Sequence, residues 1–290
     1  MNNSCRFPHN SDLYGIGIRI GLYCQWVTSL IAQAYVPTEV PAVQTATQSF
    51  QTAILISLVI LTSKDLIHEP EVLIVLPLCF GGFLTSHHVP SPTNDPGSRS
   101  RRLISGFNFG ALVSYSAWFW SHGVVELHGK CQDCVYVTLL FGRWDIMALR
   151  TFGIIMSSAG CLVFLILAAL CVWRISAIVN VEGARASLMY LISASTSSPT
   201  GPPTLRPRWQ TWFQVVVALI GQSHIVAMVE LTLIWNPQQD PSGVIAAGQM
   251  IPLVVGAWGL VRVVYLFLIS HLRQGQTAHR EPVPIIGFPL

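Results

Sequence analysis

Apolar runs recur along the chain, separated by shorter stretches rich in charge, proline and glycine. Seven of them approach the roughly 20 residues that a helix needs to cross a bilayer: Tyr14–Tyr35, Thr47–Ser63, Val72–Val89, Ile104–Val125, Ala148–Ser176, Trp209–Trp235 and Gly243–Leu272. The second is the shortest. The run Cys134–Phe141 (CVYVTLLF) is too short to span and reads as a re-entrant or interfacial piece; extended, it would raise the count to eight. The pattern predicts an all-α protein, a polytopic transmembrane helix bundle of about seven spans that forms one domain over residues 1–290.

Composition agrees. Hydrophobic residues make up 52% of the chain and charged residues 10%, against about 25% charged in ordinary soluble domains. The net charge of +3 comes without a basic stripe or an RNA-binding signature, so no nucleic-acid partner is expected. Of the seven cysteines, Cys24, Cys79, Cys161 and Cys171 lie in apolar runs and behave as small hydrophobes. Cys5, Cys131 and Cys134 fall in loops. Cys131-x-x-Cys134 lacks a second pair or histidine partners for zinc, and a disulfide there stays open. Met1–Tyr14 is short and polar, so no cleavable leader is expected.

Arginines assign the sides. Arg99, Arg101 and Arg102, then Arg185, Arg206 and Arg208, then Arg273 and Arg280 share one face if there are seven spans. The other face has Arg6, Lys64, Lys130 and Arg143 among several acids. The positive-inside rule then puts the N-terminus in the lumen and the C-terminus in the cytosol. Residues 176–208, dominated at their end by Ser, Thr, Pro and Gly, are expected to form a flexible cytosolic loop, and 274–290 a flexible tail. Gly17-x-x-x-Gly21 and Gly106-x-x-x-Gly110 are small-residue ridges suited to close helix packing.

Against this apolar background, Val215–Pro237 stands out because it holds Gln222, His224 and Glu230. An ionisable group at that depth is costly and persists only where it faces protein, a partner or a wet cavity. At 1.5 Å of rise per residue, Glu230 lies about 7 Å below Trp235, and Arg19 lies at a similar depth below Tyr14. Gln249, His122, Glu126, Asp145 and Arg150 fall in the same outer third, among aromatics that include Tyr23, Trp26, Trp120 and Trp235. Two roles for Glu230 remain open. It can lock the first span to the sixth through Arg19, or it can act as acid, base or ligand contact. A carboxylate beside an arginine is a poor proton donor, so pairing with Arg19 would pass the acid's role to Asp145 or Glu126. No metal-ligand cluster, acidic diphosphate-binding motif or nucleotide loop is evident, so catalysis would use side chains alone, with no cofactor and no metal.

The segments DLYGIGIRIGLYCQW (Asp12–Trp26) and ELTLIWNP…SGVIAAGQMIPLVVG (Glu230–Gly256) resemble a group of fungal seven-span membrane proteins. That group shares a "YGxGIRxGxYxQW" opening and an "ExTxxWN…GQxIPLxxG" ending, and membrane-bound meroterpenoid cyclases of the ascochlorin and ascofuranone type stand near it. The resemblance covers both ends of the chain and reaches the middle only through the number of spans. It implies a terpene cyclase that protonates the epoxide of a farnesylated aromatic and steers the carbocation through ring closure, in the endoplasmic reticulum membrane. It transfers no residue roles.

The chemistry suits the residues. Ring opening needs a general acid, and aromatic faces stabilise the cation that follows. Glu230 is the first candidate acid, then Asp145, then Glu126. Arg19, Gln25, His122, His224, Asn236 and Gln249 would orient the acid or the substrate's polar head. Tyr23, Trp26, Trp120 and Trp235 would line the cavity for a lipophilic small molecule. The competing reading is a seven-span receptor or sensor using the same pocket, or a transporter whose helices break at Pro77 and Pro252.

Overall fold

One long helix is apolar on every side over most of its length, which is the pattern of a helix buried all round. In the computed structural model, which describes residues 7–8, 10–86, 97–128, 136–139, 142–189, 208–236, 238–239 and 247–278, this is α4 (Glu69–Ser86). Val72, Ile74, Val75, Leu78 and Cys79 are all essentially inaccessible. Before α4 come α1 (Ser11–Tyr14), α2 (Ile16–Tyr35) and α3 (Val40–Ser63). After it come α5 (Gly97–Trp118), a π-helical turn (Phe119–Gly123), α6 (Val124–His128), α7 (Ile146–Met189), α8 (Arg208–Trp235) and α9 (Ala247–Ala278). Strand β1 (Phe7–Pro8) pairs in parallel with β4 (Gln238–Gln239), and β2 (Tyr136–Leu139) pairs antiparallel with β3 (Gly142–Asp145).

The all-α architecture expected from the sequence is present. Four helical segments among the described residues are long and apolar enough to cross a membrane: Val40–Ser63, Ile146–Trp173, Trp212–Trp235 and Gly248–Leu272. On α7 and α9 the apolar side chains Leu165, Val172, Trp258 and Val261 point outward, a surface suited to lipid. Proline placement explains two starts. Pro41 in α3 and Pro70 in α4 sit in first turns, where a missing N–H costs nothing. Pro77 and Pro252 do not break their helices, which run continuously through both.

Helix α2 runs antiparallel to α8, meeting it at Arg19 and Glu230 at one end and at Tyr35 and Trp212 at the other, where the rings are 5.7 Å apart. Its opposite face lies on α9. A methyl group at Gly21 would overlap the backbone of Pro252, and one at Gly256 would overlap Gly21, so the two backbones touch. The second small-residue ridge behaves differently: Gly106 faces open space, while Gly110 receives the ring of Phe164.

Several expectations need correction. The second span begins at Val40, seven residues earlier than Thr47, because its polar side chains Gln44, Thr47, Gln48 and Gln51 are buried inside the bundle. Gln51 Nε2 donates to the Cys79 carbonyl at 2.7 Å, and Thr52 Oγ1 donates to Asn108 Oδ1 at 3.0 Å. The fifth extends to Met189, so the first part of the expected loop 176–208 is helical. Likewise α9 runs to Ala278 into the expected tail. Residues 190–207 and 279–290 lie outside the described residues, as do Cys5, Cys131 and Cys134.

Within the run Cys134–Phe141, the described residues Tyr136–Leu139 form a strand paired antiparallel with Gly142–Asp145 instead of a re-entrant piece. Val137 and Thr138 are buried there, and Arg143 stacks over Tyr136 with its guanidinium carbon 3.5 Å from the ring centre. Alternating β-branched and aromatic residues favour that extended form.

Candidate functional site

Arg19 and Tyr23 lie one turn apart on α2, so both side chains leave the same face. Opposite them α8 presents Glu230. The Arg19 Nη1 pairs with Glu230 Oε2, and the Tyr23 hydroxyl donates to Glu230 Oε1 at 2.9 Å. Arg19 Nε is anchored in turn on the Tyr14 carbonyl at 3.1 Å, at the break between α1 and α2. The Arg19 side chain is 15% exposed and that of Glu230 is 41% exposed, so the carboxylate is gripped from one side and reachable from another. One turn further along α2, the Trp26 ring lies 5.3 Å from that of Tyr23 and is 1% exposed, its six-membered edge seated on Gly81 of α4.

A second polar cluster adjoins this one, and sequence reasoning misses it. The Tyr14 hydroxyl donates to Glu71 Oε1 at 3.4 Å. Glu71 Oε2 accepts the His68 backbone N–H at 2.8 Å and sits 3.4 Å from His68 Nδ1. Glu71 is 1% exposed, and Glu69 is buried beside it. His68 stands just outside α4 and Glu71 occupies its third position, so the bond is the backward half of a capping box. The signal is present in the sequence as an acid three residues after His68, just ahead of an apolar run: His-Glu-Pro-Glu-Val.

The other candidates are used differently. Gln249, 1% exposed, accepts the Gly17 N–H through Oε1 at 3.4 Å, satisfying from α9 one of the donors that the first turn of α2 leaves unpaired. Asn236 pairs with the Tyr136 backbone in both directions: its Nδ2 donates to the carbonyl at 2.7 Å and its Oδ1 accepts the N–H at 3.0 Å. That pins the hairpin to a face of α8 turned away from α2. Thr232 and Thr138, hydroxyls 3.4 Å apart, continue the same seam.

Asp145 is exposed and accepts the Met147 N–H at 2.7 Å, which makes it the N-cap of α7. Glu126 and His122 are exposed, with His122 Nδ1 held 2.8 Å from Ser121 Oγ. Trp120 packs on Gly153 of α7, and Arg150 fixes the π-helical turn through the Trp120 carbonyl at 3.3 Å and the Ser121 carbonyl at 2.6 Å. His224 and Trp235 are half-buried on α8. Gln25 is buried at 4% exposure.

The structure therefore gathers Arg19, Tyr23, Trp26 and Glu230, and separates from them Trp120, His122, Glu126 and Asp145, which serve the corner where α5 turns into α7. A shared depth does not mean a shared face. No group of three or more His, Cys, Asp or Glu side chains suited to a metal ion occurs among the described residues. No family model, no curated protein and no solved structure matches the chain.

Proposed function

We propose that the chain is a membrane-bound terpene cyclase acting on a lipophilic prenylated aromatic, whose farnesyl epoxide it opens and whose carbocation it guides to ring closure. One observation carries the reading. The two end segments that resemble the fungal cyclases fold onto each other: Gln249 meets Gly17, Pro252 meets Gly21, and Glu230 pairs with Arg19, completed by Tyr23. A seven-span bundle with its N-terminus in the lumen, in the endoplasmic reticulum membrane, belongs to the same proposal. It is supported by helices α2 and α8 running in opposite senses, as alternating crossings require.

Because Arg19 holds this carboxylate, Glu230 can serve as the acid only after a proton reaches it from its exposed side and the pairing with Arg19 opens. It then gives that proton to the epoxide oxygen, and the C–O bond breaks to leave a carbocation. The carboxylate that remains is held by Arg19 and Tyr23, which stabilises the product of the transfer. The faces of Tyr23 and Trp26 stabilise the migrating cation. Loss of a proton from the final cation back to the carboxylate completes an isomerisation in which mass is unchanged. Asp145 and Glu126, committed to solvent and a helix cap, fit this step less well.

The test supplies microsomes containing the protein with farnesylated phenol epoxides. Conversion to a cyclic isomer of unchanged mass is the expected result. No conversion of any such substrate would overturn the proposal in favour of a receptor or transporter using the same groups.

A further inference from the structure

Below Glu230 the same two faces carry polar atoms that lack hydrogen-bond partners among the described residues. They are the indole Nε1 of Trp26 and the amide Nε2 of Gln222, with Trp26 1% and Gln222 4% exposed. Buried polar groups are nearly always hydrogen-bonded, so each such atom calls for a partner. Both atoms are donors, and so the missing complement is an acceptor.

Their placement is ordered. Arg19, Tyr23 and Trp26 follow one another at steps of four and three along α2, which is one stripe of a helix. Gln222, Val226 and Glu230 follow at steps of four along α8, again one stripe. Because the two helices run in opposite directions and meet at Glu230, both stripes lead inward from that carboxylate. Gln222 lies eight residues from Glu230, about 12 Å along the helix. The helix α4 contributes Gly81 against Trp26 and Leu84 beside Gly221, so it packs on α2 and α8 at this depth. Gln25, whose two amide atoms also lack partners, is turned about 100° away from Trp26 and is not part of this row.

We propose that Trp26 and Gln222 form the deep end of the ligand site, where their N–H groups bind an acceptor oxygen on a lipophilic molecule whose other end meets Glu230. The inference rests on the reading of Glu230 as the reacting end. It adds the ligand's class: an amphiphile bearing a phenol, ether or carbonyl oxygen about 12 Å from its reactive end.

Equilibrium binding to the full chain in nanodiscs tests this without turnover. The probes are radiolabelled farnesylphenol, which carries the oxygen and no epoxide, and farnesylbenzene, which lacks both. Wild type should bind the phenol about tenfold more tightly, the effect of a well-placed hydrogen bond in a buried site. Gln222→Leu should remove most of that preference and leave the affinity for farnesylbenzene unchanged. Trp26→Phe keeps the aromatic packing, removes only the donor and should do the same, which covers failure of the first variant to fold. A wild type without preference, as when water satisfies both donors, overturns the proposal, and so does a preference that survives both substitutions. Preference without epoxide turnover would keep this site and discard the cyclase; turnover without preference would do the reverse.

Discussion

Glu230 and Glu71 are two carboxylates linked through Tyr14 and Arg19, yet they are held in opposite ways. Glu71 is almost fully buried, and its closest partner is the backbone N–H of His68 at the start of its own helix. Glu230 is 41% exposed at the side chain, and its partners Arg19 and Tyr23 come from a helix more than 200 residues away in sequence, at separations of 211 and 207. A local backbone partner is what a helix end needs, and it leaves no reactive atom available. A distant charged partner and a hydroxyl on an accessible carboxylate build a site. On the proposed function, burial alone misleads as a guide: the more deeply buried acid, Glu71, would be the structural one.

That contrast can be broken by mutation. The largest effect is expected from Glu230→Gln, which should lower turnover by at least about a hundredfold, the contribution of a positioned acid or base, as read from product formation by folded protein. Glu71→Gln should instead cost stability, about 1–3 kcal/mol in chemical denaturation in detergent, because a buried charge-assisted bond to the α4 terminus is lost. Gly21→Val should cost a similar amount by forcing α2 away from α9, visible as a lowered unfolding midpoint. The smallest change is expected from Asp145→Ala, about 1 kcal/mol for a lost helix cap, with kcat retained. A kcat that fell with Asp145 would return the acid's role to the α7 corner.

Much of this is legible in the amino-acid sequence. Apolar runs locate the long helices, and depth counted in residues puts Arg19 level with Glu230, where they pair. The glycines of the first ridge announce the close approach of α2 to α9. What escapes has physical causes. Hydropathy cuts the second span off at Thr47, although Gln44 in the turns before it is buried inside the bundle, so α3 looks too short. The apolar alternation of Tyr136–Leu139 resembles a fragment of span until its strand partner is known. Depth gives no azimuth, so Asp145, Glu126 and Trp120 converge by depth on a site that they do not face. Glu71 sits outside the apolar runs and reads as surface, and only the loop preceding α4, folded under Tyr14, buries it.

The central claim is that Glu230 carries the chemistry and Glu71 the fold. Glu230→Gln and Glu71→Gln, each assayed in proteoliposomes for epoxide conversion per folded molecule and for its unfolding midpoint, test it together. Glu230→Gln is expected to lose conversion and keep its midpoint, while Glu71→Gln lowers the midpoint and keeps conversion. Conversion surviving in Glu230→Gln and lost in Glu71→Gln would contradict it.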